Sequence, residues 1–216
     1  MRNRTFIYAG RTGLLAALLF LTAGPVGAQG PLGKLLGGEL IDPRPGIYAW
    51  YEVEDAKTGQ VLFMRQAIVG EERVGRRDGY WLEIEILPRE GFPAIYKMLV
   101  TGPANERDHL HQVIAKPGAG PRVELPVAEL FADEQEPPAP ERLGEETVST
   151  QQGEIPCVRY AIEQADGTTV QVWLSDLARP TGLVKMESDT GRLILTRTGE
   201  GGPHGATALP EPGEGD

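Results

Sequence analysis

The sequence predicts a mainly β domain of antiparallel strands. Three observations predict it. Short runs alternate apolar and polar side chains, most strictly in Tyr80-Trp81-Leu82-Glu83-Ile84-Glu85-Ile86. Turn-forming residues, rich in Gly, Asp, Thr and Pro, separate these runs. Helical spacing is confined to brief stretches at 32–41, 104–110 and 126–131.

The first strands are expected at 47–55 and 60–69, around the hairpin turn Ala56-Lys57-Thr58-Gly59. In the third, Leu82, Ile84 and Ile86 point one way and Trp81, Glu83 and Glu85 the other. In the fourth, 94–101, Tyr96, Met98 and Val100 share one face, and Ile95, Lys97 and Leu99 the other. A fifth, 109–116, ends at Pro117-Gly118. Strands resume at 144–151, 155–164, 168–175, 182–188 and 192–198. Ala165-Asp166-Gly167 and Ser188-Asp189-Thr190-Gly191 read as hairpin turns, and Leu177-Ala178-Arg179-Pro180 as a wide connection.

A single β domain is expected over 47–199, since neither half would bury enough surface alone. The acidic, proline-rich stretch 133–142 reads as a solvated loop inside it. Residues 29–46 read as a flexible lead-in and 200–216 as a disordered tail, both rich in Gly and Pro. In the lead-in, Leu32, Leu35, Leu36 and Leu40 fall at helical spacing, but Gly33, Gly37 and Gly38 leave at best a marginal helix. Gly70-Glu71-Glu72-Arg73-Val74 and Gly144-Glu145-Glu146-Thr147-Val148 echo each other, too weakly to establish a repeat.

Residues 1–28 have the parts of a cleavable export signal. Arg2, Arg4 and Arg11 precede the apolar Leu14–Leu21, and Val26-Gly27-Ala28 offers small residues before a cut at Ala28–Gln29. The apolar run is too short to span a bilayer, so no stable membrane anchor is expected. A periplasmic or secreted location follows. The chain beyond the signal carries 18 basic and 31 acidic residues, a net charge of −13. Such a surface repels nucleic acid. Cys157 is the sole cysteine, which excludes an internal disulfide; it reads as a buried, inert thiol.

The second half carries a recognisable pattern. Gly144-Glu145-Glu146-Thr147-Val148 leads a strand, and Ile155-Pro156-Cys157-Val158-Arg159-Tyr160 forms the next. Val172-Trp173-Leu174-Ser175-Asp176 is followed by Pro180-Thr181-Gly182-Leu183-Val184-Lys185. Over 144–198 this resembles uncharacterised bacterial secreted proteins related to the LolA/LolB-type lipoprotein-carrier superfamily. The resemblance implies a strongly curved sheet, a half-open barrel, and an apolar concave face that takes a lipid or lipoprotein. Few helices are available here to cover such a face.

Candidate chemistry is sparse. His109 and His111 share a face if extended and could share a metal, but no further ligand lies at a recognisable spacing. Glu83 and Glu85 could do acid–base work, or simply meet Arg65 or Lys97 across the strands. Ser175-Asp176 lacks a nucleophile elbow, and no glycine stretch forms a nucleotide loop. No cofactor, metal or enzymatic activity is expected. Trp50, Trp81, Met98, Trp173 and Met186 are the candidate ligand-binding residues; plain core packing is the alternative. A structural or protein-interaction module without a ligand is the competing reading of the chain, and its oligomeric state is open.

Overall fold

The computed structural model describes residues 40–104, 106–130, 139–164 and 167–209. The expected export signal, the expected lead-in up to residue 39, most of the acidic loop and the end of the tail lie outside them. Eleven antiparallel strands form one curved, unclosed sheet: β1 Ile47–Asp55, β2 Val61–Val74, β3 Arg77–Leu87, β4 Ala94–Val100, β5 Leu110–Lys116, β6 Val123–Leu125, β7 Glu141–Thr150, β8 Gly153–Glu163, β9 Thr169–Leu174, β10 Leu183–Ser188 and β11 Gly191–Glu200. Their order is β6-β5-β4-β3-β2-β1-β11-β10-β9-β8-β7. The expected half-open β sheet is therefore the fold.

Ten strands match the alternating runs. The eleventh, β6, is only three residues long and follows Pro121 closely, too short for a period-two pattern to register. Helical structure among the described residues is limited to a 3-10 turn at Arg107–His109 and two single turns, α1 Val127–Leu130 and α2 Gly202–Gly205.

The turns follow from local chemistry. Asp55 Oδ1 accepts the N–H groups of Lys57 and Thr58 at 2.8 and 2.7 Å, closing the β1–β2 hairpin. The two long hairpins, β2–β3 and β7–β8, are built alike. Each turns through two residues, and each carries a register slip just before the Gly-Glu-Glu echo, between Ile68 and Gly70 and between Arg142 and Gly144. The echo is thus the sequence of a bulged strand. After β1, both halves lay down a five-strand meander in the same spatial direction, β2 to β6 and β7 to β11.

Register assigns the faces. Tyr51 lies opposite Met64 and Leu195, Met64 opposite Ile86, and Leu82 opposite Met98. This inner face packs on itself across the curve: Tyr51, Met64, Leu82, Val172, Leu193 and Leu195 are at most 1% exposed. Its polar members form a small network. Thr181 donates to Gln66 Oε1 at 2.6 Å, and the Tyr51 hydroxyl lies 3.1 Å from the Leu183 carbonyl, joining β1 to β10 across β11.

The expected disordered tail is corrected between 200 and 209. Residues to Glu200 extend β11, and 201–209 cross the outer face of the sheet. Leu209 is 1% exposed, in a cluster with Ile95, Ile114 and Trp81. Composition misses this because the contacts holding the segment lie on β2, β3, β4 and β5, not within it.

Candidate functional site

The five candidate ligand-binding residues do not converge. Met98 lies opposite Leu82 and Val113, and Met186 opposite Val172 and Leu193, so both belong to the inner face. Trp50, Trp81 and Trp173 belong to the outer one. Trp50 lies opposite Arg65 and Arg197 and packs edge-on against His204, 5.7 Å between ring centroids. Trp81 lies under the Lys97 ammonium, 5.2 Å from its centroid, and donates to Glu72 at 3.0 Å. Trp173 sits between its cross-strand partners Arg159 and Lys185, the Lys185 ammonium 4.3 Å from the ring centroid. An alternating strand separates odd from even positions, so composition alone could not have sorted these five.

The open space lies elsewhere. A cleft of about 1100 Å³ runs between β7–β8, the loop 175–182 and Leu40–Ile41. Val158, Tyr160 and Leu174 line it. By register these continue the inner face, Val158 opposite Leu174 and Tyr160 opposite Val172. The inner face is thus filled through its middle and open at this end.

Local structure explains the loop wall. Ser175 N–H donates to the Gly182 carbonyl at 2.8 Å, and Gly182 N–H to the Ala178 carbonyl at 2.7 Å. The Arg179–Pro180 peptide is cis. The Pro180 carbonyl accepts the Ile41 N–H at 2.8 Å, which ties the entering chain to the cleft. Gly182 has φ 79°, a backbone conformation that favours glycine, while the nearest atom to a Cβ there, Ile41 Cδ1 at 2.9 Å, is a side-chain end free to shift. Leu177 is 67% exposed at the cleft's rim.

The rim is acidic. Glu145, Glu146 and Asp176 border the cleft, with no Lys or Arg among its lining residues. Glu146 sits below the usual carboxylate range: the Trp173 indole N–H beside it contributes most, then the Arg159 guanidinium 3.1 Å away. That indole N–H is buried and makes no hydrogen bond of full geometry, so its effect on Glu146 is one of proximity. Burial pushes the Cys157 thiol up, and Glu146 adds to this, while a backbone bond at Val148 opposes it. A protonated thiol donating to the Ile155 carbonyl is a poor nucleophile.

The other chemical candidates resolve into structure. His109 Nδ1 and His111 Nε2 both lie against Thr101 Oγ1, at 3.3 and 2.9 Å. Among the described residues no cluster of three or more His, Cys, Asp or Glu is placed to hold a metal. Ser175 Oγ accepts the Leu177 N–H at 3.4 Å, with no histidine among the cleft residues. Glu83 and Glu85 both meet Arg65, as cross-strand pairing predicts. What sequence reasoning missed is their depth: Arg65 and Glu83 are 2% and 0% exposed beneath the 201–209 segment.

No helix among the described residues is long and apolar enough to cross a membrane. No protein-family model matches the chain, and no curated protein matches it significantly. Among solved structures, it is similar to a protein from Bacteroides fragilis described as exported with a YmcC-like fold, at 11% identity and a TM-score of 0.46, over 75% of this chain and 99% of that one. It is also similar to a protein from Parabacteroides distasonis described as a lipoprotein, at 13% identity and a TM-score of 0.40, over 74% and 99%.

Proposed function

We propose that the chain is an exported, non-enzymatic envelope protein that receives an apolar chain, from a lipid or a lipoprotein, at the open end of its half-barrel. One observation carries this reading: the inner face, filled by its own side chains through the middle, opens to the cleft at the half-buried Val158, Tyr160 and Leu174. The carrier-like resemblance of residues 144–198 agrees with that placement. Apolar walls with a few polar groups are the ordinary make-up of such a site. The export signal expected at residues 1–28 supports the envelope location.

The test has two parts. Native mass spectrometry of protein gently extracted from the envelope should find a chain starting at Gln29 that carries added lipid-like mass. A fluorescent fatty acid should bind the purified protein, with affinity at least tenfold weaker in Val158→Glu. A bare polypeptide mass together with no uptake of the fatty acid sinks the ligand reading.

The second reading is an interaction module with a packed core and no ligand. The complete burial of Met64, Leu82 and Leu193 favours it. Crosslinking in intact cells that captures one defined envelope protein, with no lipid mass on the chain, would decide for it.

A further inference from the structure

The outer face of β2 and β3 carries a charge cluster where an exposed sheet surface would normally sit in water. The Arg65 guanidinium pairs with Glu83 and donates from Nε to Glu85 at 2.9 Å. Its Nη1 donates to the backbone carbonyls of His204 and Ala206, at 2.7 and 2.8 Å. Glu83 in turn accepts the Ala208 N–H at 2.8 Å and the Thr207 hydroxyl at 2.5 Å. One residue further, Leu209 fills the apolar pocket of Ile95, Ile114 and Trp81. Two carbonyls, an amide N–H, a hydroxyl and an aliphatic side chain are all read by the sheet, mostly through the backbone of the segment.

The occupant has little structure of its own. Gly201 and Gly202 have φ 75° and 65°, and Pro203 follows them. Its glycines regain more backbone freedom on release than any other residue would. The described contacts that hold it beyond Gly201 are those to Arg65, Glu83 and the Leu209 pocket, the His204 ring against Tyr48, Trp50 and Arg197, and Gly205 lying close against the Gly46 backbone. The surface beneath it is a complete recognition site.

We propose that this face is a peptide-binding site held in cis by the chain's own residues 204–209. Its ligand class is a short, uncharged peptide that leaves a single turn and carries an aliphatic anchor five residues after the first carbonyl that Arg65 reads. Displacing the strap frees the site for such a segment in another protein. This site is separate from the cleft and does not depend on the lipid reading.

The test uses the full-length chain with Leu209→Asp, which removes the strap's anchor and leaves the receiving surface intact. A fluorescein-labelled peptide of residues 201–216 is the probe. The variant should bind it saturably and at least tenfold more tightly than the wild-type chain, whose own strap competes. The same peptide carrying Leu209→Asp should bind at least tenfold more weakly than the unmodified one. In the wild-type chain, the Ala208 amide should exchange with solvent at least a hundredfold faster than the central amides of β2 and β3. A folded Leu209→Asp chain that takes up no peptide overturns the proposal. Loss of the cooperative melt in that variant also overturns it, as does sheet-like protection at Ala208, because either makes the segment an integral part of the core.

Discussion

Arg65 shows how one residue couples the sheet to its cover. Its planar fork spends donors on two carboxylates and two carbonyls while 2% exposed. Removing it leaves Glu83 buried, and Glu85 half-buried, without their cation. Arg65→Met should therefore cost about 3–5 kcal/mol in urea denaturation. Adding Glu83→Gln to that variant should recover part of the loss, because the stranded charge disappears. Strict additivity in the double-mutant cycle would mean the pair is not coupled. Tyr96 provides a pH handle. Burial pushes its phenol from 10.0 up to about 12, so the fold favours the neutral form. Its contribution is complete below pH 10 and is lost as pH rises toward 12. Relative to Tyr96→Phe, the wild-type chain should lose about 1 kcal/mol between pH 8 and pH 11. Equal losses in urea titrations of the two chains would refute the assignment. The Tyr51 phenol is raised in the same direction by burial, with the Thr181 hydrogen bond opposing.

At the scale of elements, strands and turns were legible because their signals are local. Tyr80–Ile86 alternates without a break, and Ala56–Gly59 and Ser188–Gly191 contain the residues tight turns require. The echo at Gly70 and Gly144 was visible as letters, but its meaning needed pairing: both glycines follow a bulge in a long hairpin. Two other features were not legible. Val123–Leu125 is too short to show a period, and the order of 201–209 comes from partners more than 100 residues away in sequence. The β10–β11 hairpin offers a test of tight packing. Gly191 lies opposite Asp55, and a Cβ there would collide with the backbone carbonyl of Glu54, which cannot swing aside as a side chain could. Gly191→Ala should destabilise the chain by about 2 kcal/mol, in the middle of the usual overpacking range. Gly59→Ala, with φ 64° but open space around it, should cost less, about 1 kcal/mol. Thermal melts that rank the two the other way would show that the Glu54 contact relaxes.

For the whole molecule, curvature sorts the residues that a list of aromatics and methionines could not. It turns Met98 and Met186 to the inner face and the three tryptophans to the outer one, each covered differently, with Trp173 itself buried. Curvature without closure also leaves two sheet edges, at β6 and β7. The β6 edge is short. The β7 edge runs the ten residues Glu141–Thr150 and is mostly exposed. An exposed long edge is a template for pairing with another chain. Here it carries Glu141, Arg142, Glu145 and Glu146, with Arg142 and Glu145 paired at 3.0 Å and Glu146 paired with Arg159 on β8. An exposed ion pair contributes little to stability, so these charges matter for what they prevent. Replacing Arg142 and Glu145 together by valine keeps net charge constant and raises β propensity on the free edge. The double variant should melt within about 0.5 kcal/mol of the wild-type chain yet sediment as larger species with rising concentration. Salt should shift that association little, since backbone pairing drives it. If the variant sediments like the wild-type chain at every concentration, the bulge at Arg142–Gly144, not the charge, is what keeps the edge from pairing.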